Sequence, residues 1–118
     1  MSNVSKGLFA EDLACKYLNE KGCRILDRNF HTQHGEVDIV FEEDGRLVFC
    51  EVKAKYLGGH GMPEEEFGRV KFERFNSAVL DYLSRTDVDT DDYRIDLIAM
   101  QMDVATKTCR LKHYKAYY

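Results

Sequence analysis

The sequence predicts an α/β protein in which a mixed sheet of about five strands is flanked by two long helices. Three observations predict it. Two stretches, about Ser5–Glu20 and Glu64–Ser84, repeat apolar residues at helical spacing. Three β-rich runs precede the second helix and two follow it. The runs on either side of Asp44-Gly45 are apolar on both faces, as central strands covered from each side are. A chain of 118 residues has room for one core, so residues 1–118 are expected to form one domain.

The first helix carries Ala10, Leu13, Ala14, Tyr17 and Leu18 on one stripe, and Gly22 is a natural stop after it. A strand is expected over Cys23–Phe30, then a loop of His31, Thr32, Gln33 and His34 closed by Gly35. The runs Glu36–Glu42 and Arg46–Ala54 flank Asp44-Gly45, a strong signal for a two-residue hairpin. A period of two places Val37, Ile39 and Phe41 on one face with Val48, Cys50 and Val52, and Val40, Leu47 and Phe49 on the other. A glycine-rich loop, Leu57–Met62, leads to the second helix. Three glutamates open that helix at the positive end of its dipole, and Phe67, Phe75, Ala78, Val79, Tyr82 and Leu83 form its apolar side. Asp87–Asp92 reads as an acidic loop. Tyr93–Gln101, with Ile95, Leu97 and Ala99 in alternation, and Arg110–Tyr117 read as the last two strands.

Composition bounds the partners. A content of 44% hydrophobic and 32% charged residues excludes a wholly disordered chain. Seventeen basic against twenty-one acidic side chains give a net charge of −4, which argues against a domain that holds nucleic acid by charge alone. No apolar run approaches the roughly 18 residues of a membrane span, and no apolar secretory core follows Met1, so a cytoplasmic protein is expected. Cys15, Cys23, Cys50 and Cys109 form no CxxC pair and read as buried free thiols of a reducing compartment.

The hairpin register brings out the chemistry. A two-residue turn at Asp44-Gly45 pairs Glu43 with Arg46, and so sets Asp38 opposite Glu51 and Glu36 opposite Lys53. Opposed residues have Cβ atoms about 4.5–5.5 Å apart, and two carboxylates so placed in apolar strands repel each other. A shared proton, a lysine or a divalent cation would offset that repulsion, and hard oxygen ligands suit Mg²⁺ or Mn²⁺. Lys53 is close enough to orient a metal-bound water or to stabilise developing charge. The plainer alternative is a solvated hairpin end in which Glu51 and Lys53 neutralise each other.

Asp38, a spacer of twelve residues and Glu51-Val52-Lys53 together resemble the D…ExK motif of PD-(D/E)xK nucleases. A wider string resembles the YraN-like family of small bacterial proteins, similar to archaeal Holliday-junction resolvases. It comprises Gly7-Leu8-Phe9-Ala10-Glu11-Asp12-Leu13-Ala14, Tyr17-Leu18, Gly22, Arg28-Asn29, Gly35-Glu36-Val37-Asp38-Ile39-Val40, Val48-Phe49-Cys50-Glu51-Val52-Lys53, Lys71 and Arg94-Ile95-Asp96-Leu97-Ile98. The resemblance covers about residues 5–100 and implies a restriction-endonuclease-like core. It also implies that Asp38 and Glu51 are metal ligands with the Val52 carbonyl as a third. Lys53 would position the attacking water or steady the phosphate, Glu11 would complete the site from the first helix, and Glu36 would support it. By analogy with resolvases, a two-fold assembly suits a branched substrate. Where the family usually has arginine two places after the lysine, this chain has Lys55, which keeps the charge but loses the bidentate fork.

Two basic groups could hold phosphates or simply solvate the surface: Arg69, Lys71 and Arg74 on the second helix, and Lys107, Arg110, Lys112 and Lys115 near the C-terminus. His31 and His34, spaced HxxH, and His60 in a glycine-rich turn are weaker candidates for metal or substrate contact. There is no Walker loop and no GxGxxG. The expected function is a Mg²⁺- or Mn²⁺-dependent endonuclease acting on DNA. The alternatives are a nucleic-acid-binding module without catalysis, or a protein-interaction module, which the net negative charge favours.

Overall fold

The computed structural model describes residues 3–56, 69–86, 92–103 and 105–118, with side chains from Phe9 in the first helix and from Lys71 in the second. The elements run α1 (Asn3–Glu20), β1 (Arg24–His31), β2 (Glu36–Glu43), β3 (Arg46–Tyr56), α2 (Arg69–Arg85), β4 (Tyr93–Asp103) and β5 (Thr108–Tyr114). The strands lie in sequence order, β1-β2-β3-β4-β5. β3 and β4 run parallel across the α2 connection, and the other three pairs are antiparallel. This is the expected mixed five-stranded α/β fold, compatible with a restriction-endonuclease-like core. The glycine-rich loop with His60, the three glutamates, Phe67 and residues 87–91 lie outside the described residues. No helix among the described residues is long and apolar enough to cross a membrane.

Each helix covers one face of the sheet. Ala10, Ala14 and Leu18 of α1 pack on Ile39, Phe41, Val48, Cys50, Ile98 and Met100. Phe75, Ala78, Val79 and Tyr82 of α2 pack on Val37, Val40, Leu47, Phe49 and Ile95. Fully buried Phe41, Phe49 and Phe75 each contribute on the order of 2–3 kcal/mol. The helix α1 ends as its sequence predicts: Cys23 N–H donates to Leu18 O at 3.0 Å and Gly22 N–H to Asn19 O at 3.0 Å, closing the last carbonyls.

The hairpin turns on Asp44 (φ 51°) and Gly45 (φ 81°), two positive values in succession that a tight primed turn requires. The predicted register holds from Glu43↔Arg46 to Ile39↔Cys50 and then stops. The main-chain pairs expected at Asp38/Glu51 and Glu36/Lys53 are not formed. The break coincides with a feature of β1, where Asn29 stands at φ 53° between the pairs Arg28↔Ile39 and Phe30↔Val37. This left-handed residue reverses the alternation in both strands. Arg28 reaches Asp12 on α1 at 2.8 Å, while Phe30 and Val37 pack on the α2 side. Val37 therefore does not share a face with Ile39 and Phe41, against the period-two expectation.

Other boundaries shift for local reasons. His31 belongs to β1 rather than to the loop. β5 ends at Tyr114 rather than Tyr117, because Ala116 turns at φ 53° and donates its N–H to Asp96 at 3.0 Å. Cys15, Cys23 and Cys50 are buried free thiols, but Cys109 is exposed near the start of the edge strand β5.

Two features fix the layers. A Cβ added to Gly35 would stand 2.2 Å from the Arg74 carbonyl oxygen, so the β1–β2 loop lies directly against the α2 backbone. His34 Nδ1 meets Asp81 of α2 at 3.1 Å beside it. In β4, where it pairs with Cys50, Asp96 is wholly buried. It accepts from Arg94 at 2.7 and 2.8 Å and from His113 Nε2 at 2.6 Å, and His113 Nδ1 pairs with the Tyr17 hydroxyl at 2.9 Å. Arg94 continues to Glu43 at 2.9 Å, and Lys115 reaches the same carboxylate at 3.1 Å. Burial alone would raise the Asp96 pKa, but the His113 and Arg94 hydrogen bonds and the Ala116 amide outweigh it and hold the carboxyl below its usual range.

Gly35→Ala is expected to lower stability by at least about 2 kcal/mol in urea unfolding, because the neighbouring atoms are helix backbone and cannot yield. Because the native Asp96 pKa is depressed, its stabilisation is present above the unfolded carboxylate range and is lost as pH falls through the native value. Asp96→Asn should destabilise by about 3 kcal/mol at pH 7 and flatten the acid limb of a stability–pH profile.

Candidate functional site

The site forms where the β2–β3 ladder opens. Beyond Ile39↔Cys50 the Val52 N–H has lost its main-chain partner on β2, and Asp38 Oδ2 accepts it instead at 2.8 Å. This folds the Asp38 side chain across the gap, where its carboxyl hydrogen-bonds that of Glu51. Asp38 and Glu51 are thus brought together by a side-chain bridge rather than by the predicted ladder pair. Glu51 belongs to the α2 side, since its neighbours Cys50 and Val52 face α1.

Electrostatics follow from burial. Glu51 is only 4% exposed. Burial first, and then the Glu51 charge, push the Asp38 carboxyl well above the usual carboxylate range, with the Val52 N–H opposing. Burial also raises Glu51, and the Lys71 ammonium opposes. Both shifts favour the protonated form, and the two acids titrate as a pair.

Two ammoniums meet one carboxylate oxygen. Lys53 Nζ lies 3.4 Å and Lys71 Nζ 3.0 Å from Glu51 Oε1. The side chain of Lys53 is 18% exposed and that of Lys71 38%, so Lys71 is the one with an open route to water. The sequence placed Lys71 among phosphate-binding cations of the second helix, and its contact with Glu51 had no local signal. The Gly35–Arg74 contact sets its position, because Lys71 lies just under one helical turn before Arg74.

Glu11 stands beside this pair without joining it. Burial raises its pKa, the Arg28 charge opposes, and an Asn29 side-chain hydrogen bond holds it. Its charge is also felt at Asp38. Glu11 Oε1 is buried with no hydrogen-bond partner among the described residues. Asn29 escaped notice as a site residue, although asparagine is a residue type that tolerates the left-handed backbone found there. Among the described residues no three His, Cys, Asp or Glu side chains converge as a metal-binding group.

The remaining candidates separate. Lys55 lies half-buried on β3, on the strand face of Glu51 and Lys53. Arg74 is exposed on α2, and the Arg69 side chain lies outside the described residues. His31 pairs with Glu36 at 3.0 Å and His34 with Asp81 at 3.1 Å, so the HxxH spacing makes two separate exposed ion pairs.

Comparison with known proteins shows the family. The model of the uncharacterised protein family UPF0102 matches residues 10–100. A UPF0102 protein of Syntrophomonas wolfei is 38% identical over 101 residues, covering 86% of this chain and 88% of the relative. One from Syntrophotalea carbinolica is 39% identical over 98 residues, 83% of this chain and 80% of the relative. One from Rhodococcus opacus is 35% identical over 100 residues, 85% of each. The matched span contains the positions of Glu11, Asp38, Glu51, Lys53 and Lys71, and the chain belongs to the UPF0102 family.

Proposed function

We propose that the protein is a divalent-cation-dependent nuclease of the PD-(D/E)xK type, related to Holliday-junction resolvases, that hydrolyses phosphodiester bonds of DNA. The observation that carries this reading is the hydrogen-bonded, buried Asp38–Glu51 carboxyl pair. The donor set fits Mg²⁺ or Mn²⁺. Mg²⁺ is commonly held by one or two carboxylates with water completing its shell, so the lack of a third converging acid is no obstacle. Asp38 and Glu51 would hold the ion with the Val52 carbonyl, and the unpartnered Glu11 Oε1 is available to a water of its shell. Such an ion supplies Lewis-acid polarisation of a phosphoryl oxygen and a lowered water pKa.

The chain's own groups do the positioning. Lys53, held at 3.4 Å by Glu51, orients the attacking water or meets charge developing on the phosphate. Glu11, anchored by Asn29, helps place that water. The products would be a 5′-phosphate and a 3′-hydroxyl. One observation favours a second reading, a nucleic-acid-binding module without catalysis: Lys53 and Lys71 already neutralise Glu51 with no metal.

Calorimetric titration with Mn²⁺ separates these readings. Wild type should bind and Asp38→Asn should not, and wild type alone should cut branched, nicked or single-stranded DNA in Mg²⁺. Binding of DNA without metal-dependent cleavage would select the second reading. The raised Asp38 pKa adds a stability signature. A group whose native pKa is raised contributes stability below its unfolded pKa and loses it as pH rises through the native value. Metal-free Asp38→Asn should therefore be more stable than wild type at pH 8, by about 1–2 kcal/mol. Lys71→Met should bind Mn²⁺ several-fold more tightly, since a competing cation leaves Glu51, and should cost the metal-free protein about 1 kcal/mol, as expected for a half-exposed pair.

A further inference from the structure

We propose that the α2-side face of β3 and β5 is a binding track for the phosphodiester backbone of DNA, made by Lys53, Lys55, Lys112 and Arg110 and leading into the Asp38–Glu51 site. The inference rests on the nuclease-type reading of that site and adds the surface that delivers its substrate.

Register carries the argument. Lys53 pairs with Ala99 of β4, and Ala99 with Lys112 of β5. Lys55 pairs with Gln101, and Gln101 with Arg110. Paired residues share a face, so each of two neighbouring rows across the sheet has a cation at both ends. The opposite face of β5 is committed to the α1 side, where Leu111 packs in the core and His113 meets Tyr17. Arg110 and Lys112 are thus turned to the face that bears Glu51.

The dimensions suit a nucleic-acid backbone. Residues two apart on a strand stand about 6.5–7 Å apart, and β3 and β5, two strand spacings apart, about 10 Å. Between the cations lie Ala99 and Gln101, neither of them acidic. The next acid on the face, Asp103, is engaged by the Ala105 and Thr106 amides at 3.0 and 3.3 Å. Arg110 and Lys112 are exposed and form no ion pair among the described residues. In a chain of net charge −4, two strand cations with no ion pair among the described residues mark this part of the face as locally basic.

The test is the salt dependence of binding to a fluorescently labelled DNA junction, read by anisotropy in metal-free buffer, for wild type, Arg110→Gln/Lys112→Gln and Lys16→Gln/Lys21→Gln. The last pair removes the same charge from α1 and the turn that follows it. The track requires that the β5 pair weakens binding at least about tenfold at low salt and lowers the slope of log K against log salt by about two, while the α1 pair changes the slope little. Equal losses for the two pairs would mean a net-charge effect and overturn the track while leaving the proposed function standing. Absence of binding by wild type, even at low salt, would overturn both. Both strand residues are exposed, so circular dichroism should show the variants folded.

Discussion

A single bond from a side chain to the backbone organises the functional end of this protein. Where the β2–β3 ladder gives out, the Val52 amide still needs an acceptor, and Asp38 Oδ2 supplies it at 2.8 Å. That bond holds an acid inside the sheet within reach of Glu51, where burial raises the pKa of both carboxyls and Lys53 and Lys71 meet Glu51. The unusual chemistry is thus a consequence of a strand break, not an addition to a finished sheet. A continuous ladder would have sent Val37 to the α1 side and left Asp38 with no backbone partner.

The sheet handles its buried carboxylates in two ways. Asp96 is fully matched: every one of its close partners is a donor, so its carboxyl stays ionised. Asp38 and Glu51 are matched less completely: the Val52 N–H and two ammonium groups oppose the burial and mutual repulsion of the pair without cancelling their effect, and Glu11 beside them carries an oxygen with no partner among the described residues. A satisfied network rigidifies, whereas an unsatisfied one in a packed region is where a ligand gains most.

Much of this was legible because it is local. Asp44-Gly45 dictates the turn and the turn dictates the register as far as Ile39↔Cys50, which brings Asp38 and Glu51 to the same level, although the predicted ladder pair between them is not formed. The α1 stripe follows from helical spacing. Legibility ended where backbone exceptions or distant contacts took over. Asn29 reverses a face that alternation assigns to Val37. Lys71 reaches Glu51 only because Gly35 lets a loop touch the α2 backbone, a contact across tens of residues. The end of β5 is set by Asp96, a buried residue of another strand. Glu11 approaches the pair through α1 packing, which its own surroundings in the sequence do not encode.

The strand order has a kinetic side. β1, β2 and β3 form a meander whose closures span few residues, whereas the parallel β3–β4 pair must wait for the whole α2 connection. Loop-closure entropy makes the meander the natural early structure and the parallel pairing the late one. Asp38 and Glu51 both lie in the early part, and Lys71 in the late one. During assembly the acid pair therefore forms in contact with water before its α2 counter-ion arrives. Closing α2 over it is a step whose rate should respond to pH and to divalent ions in solution.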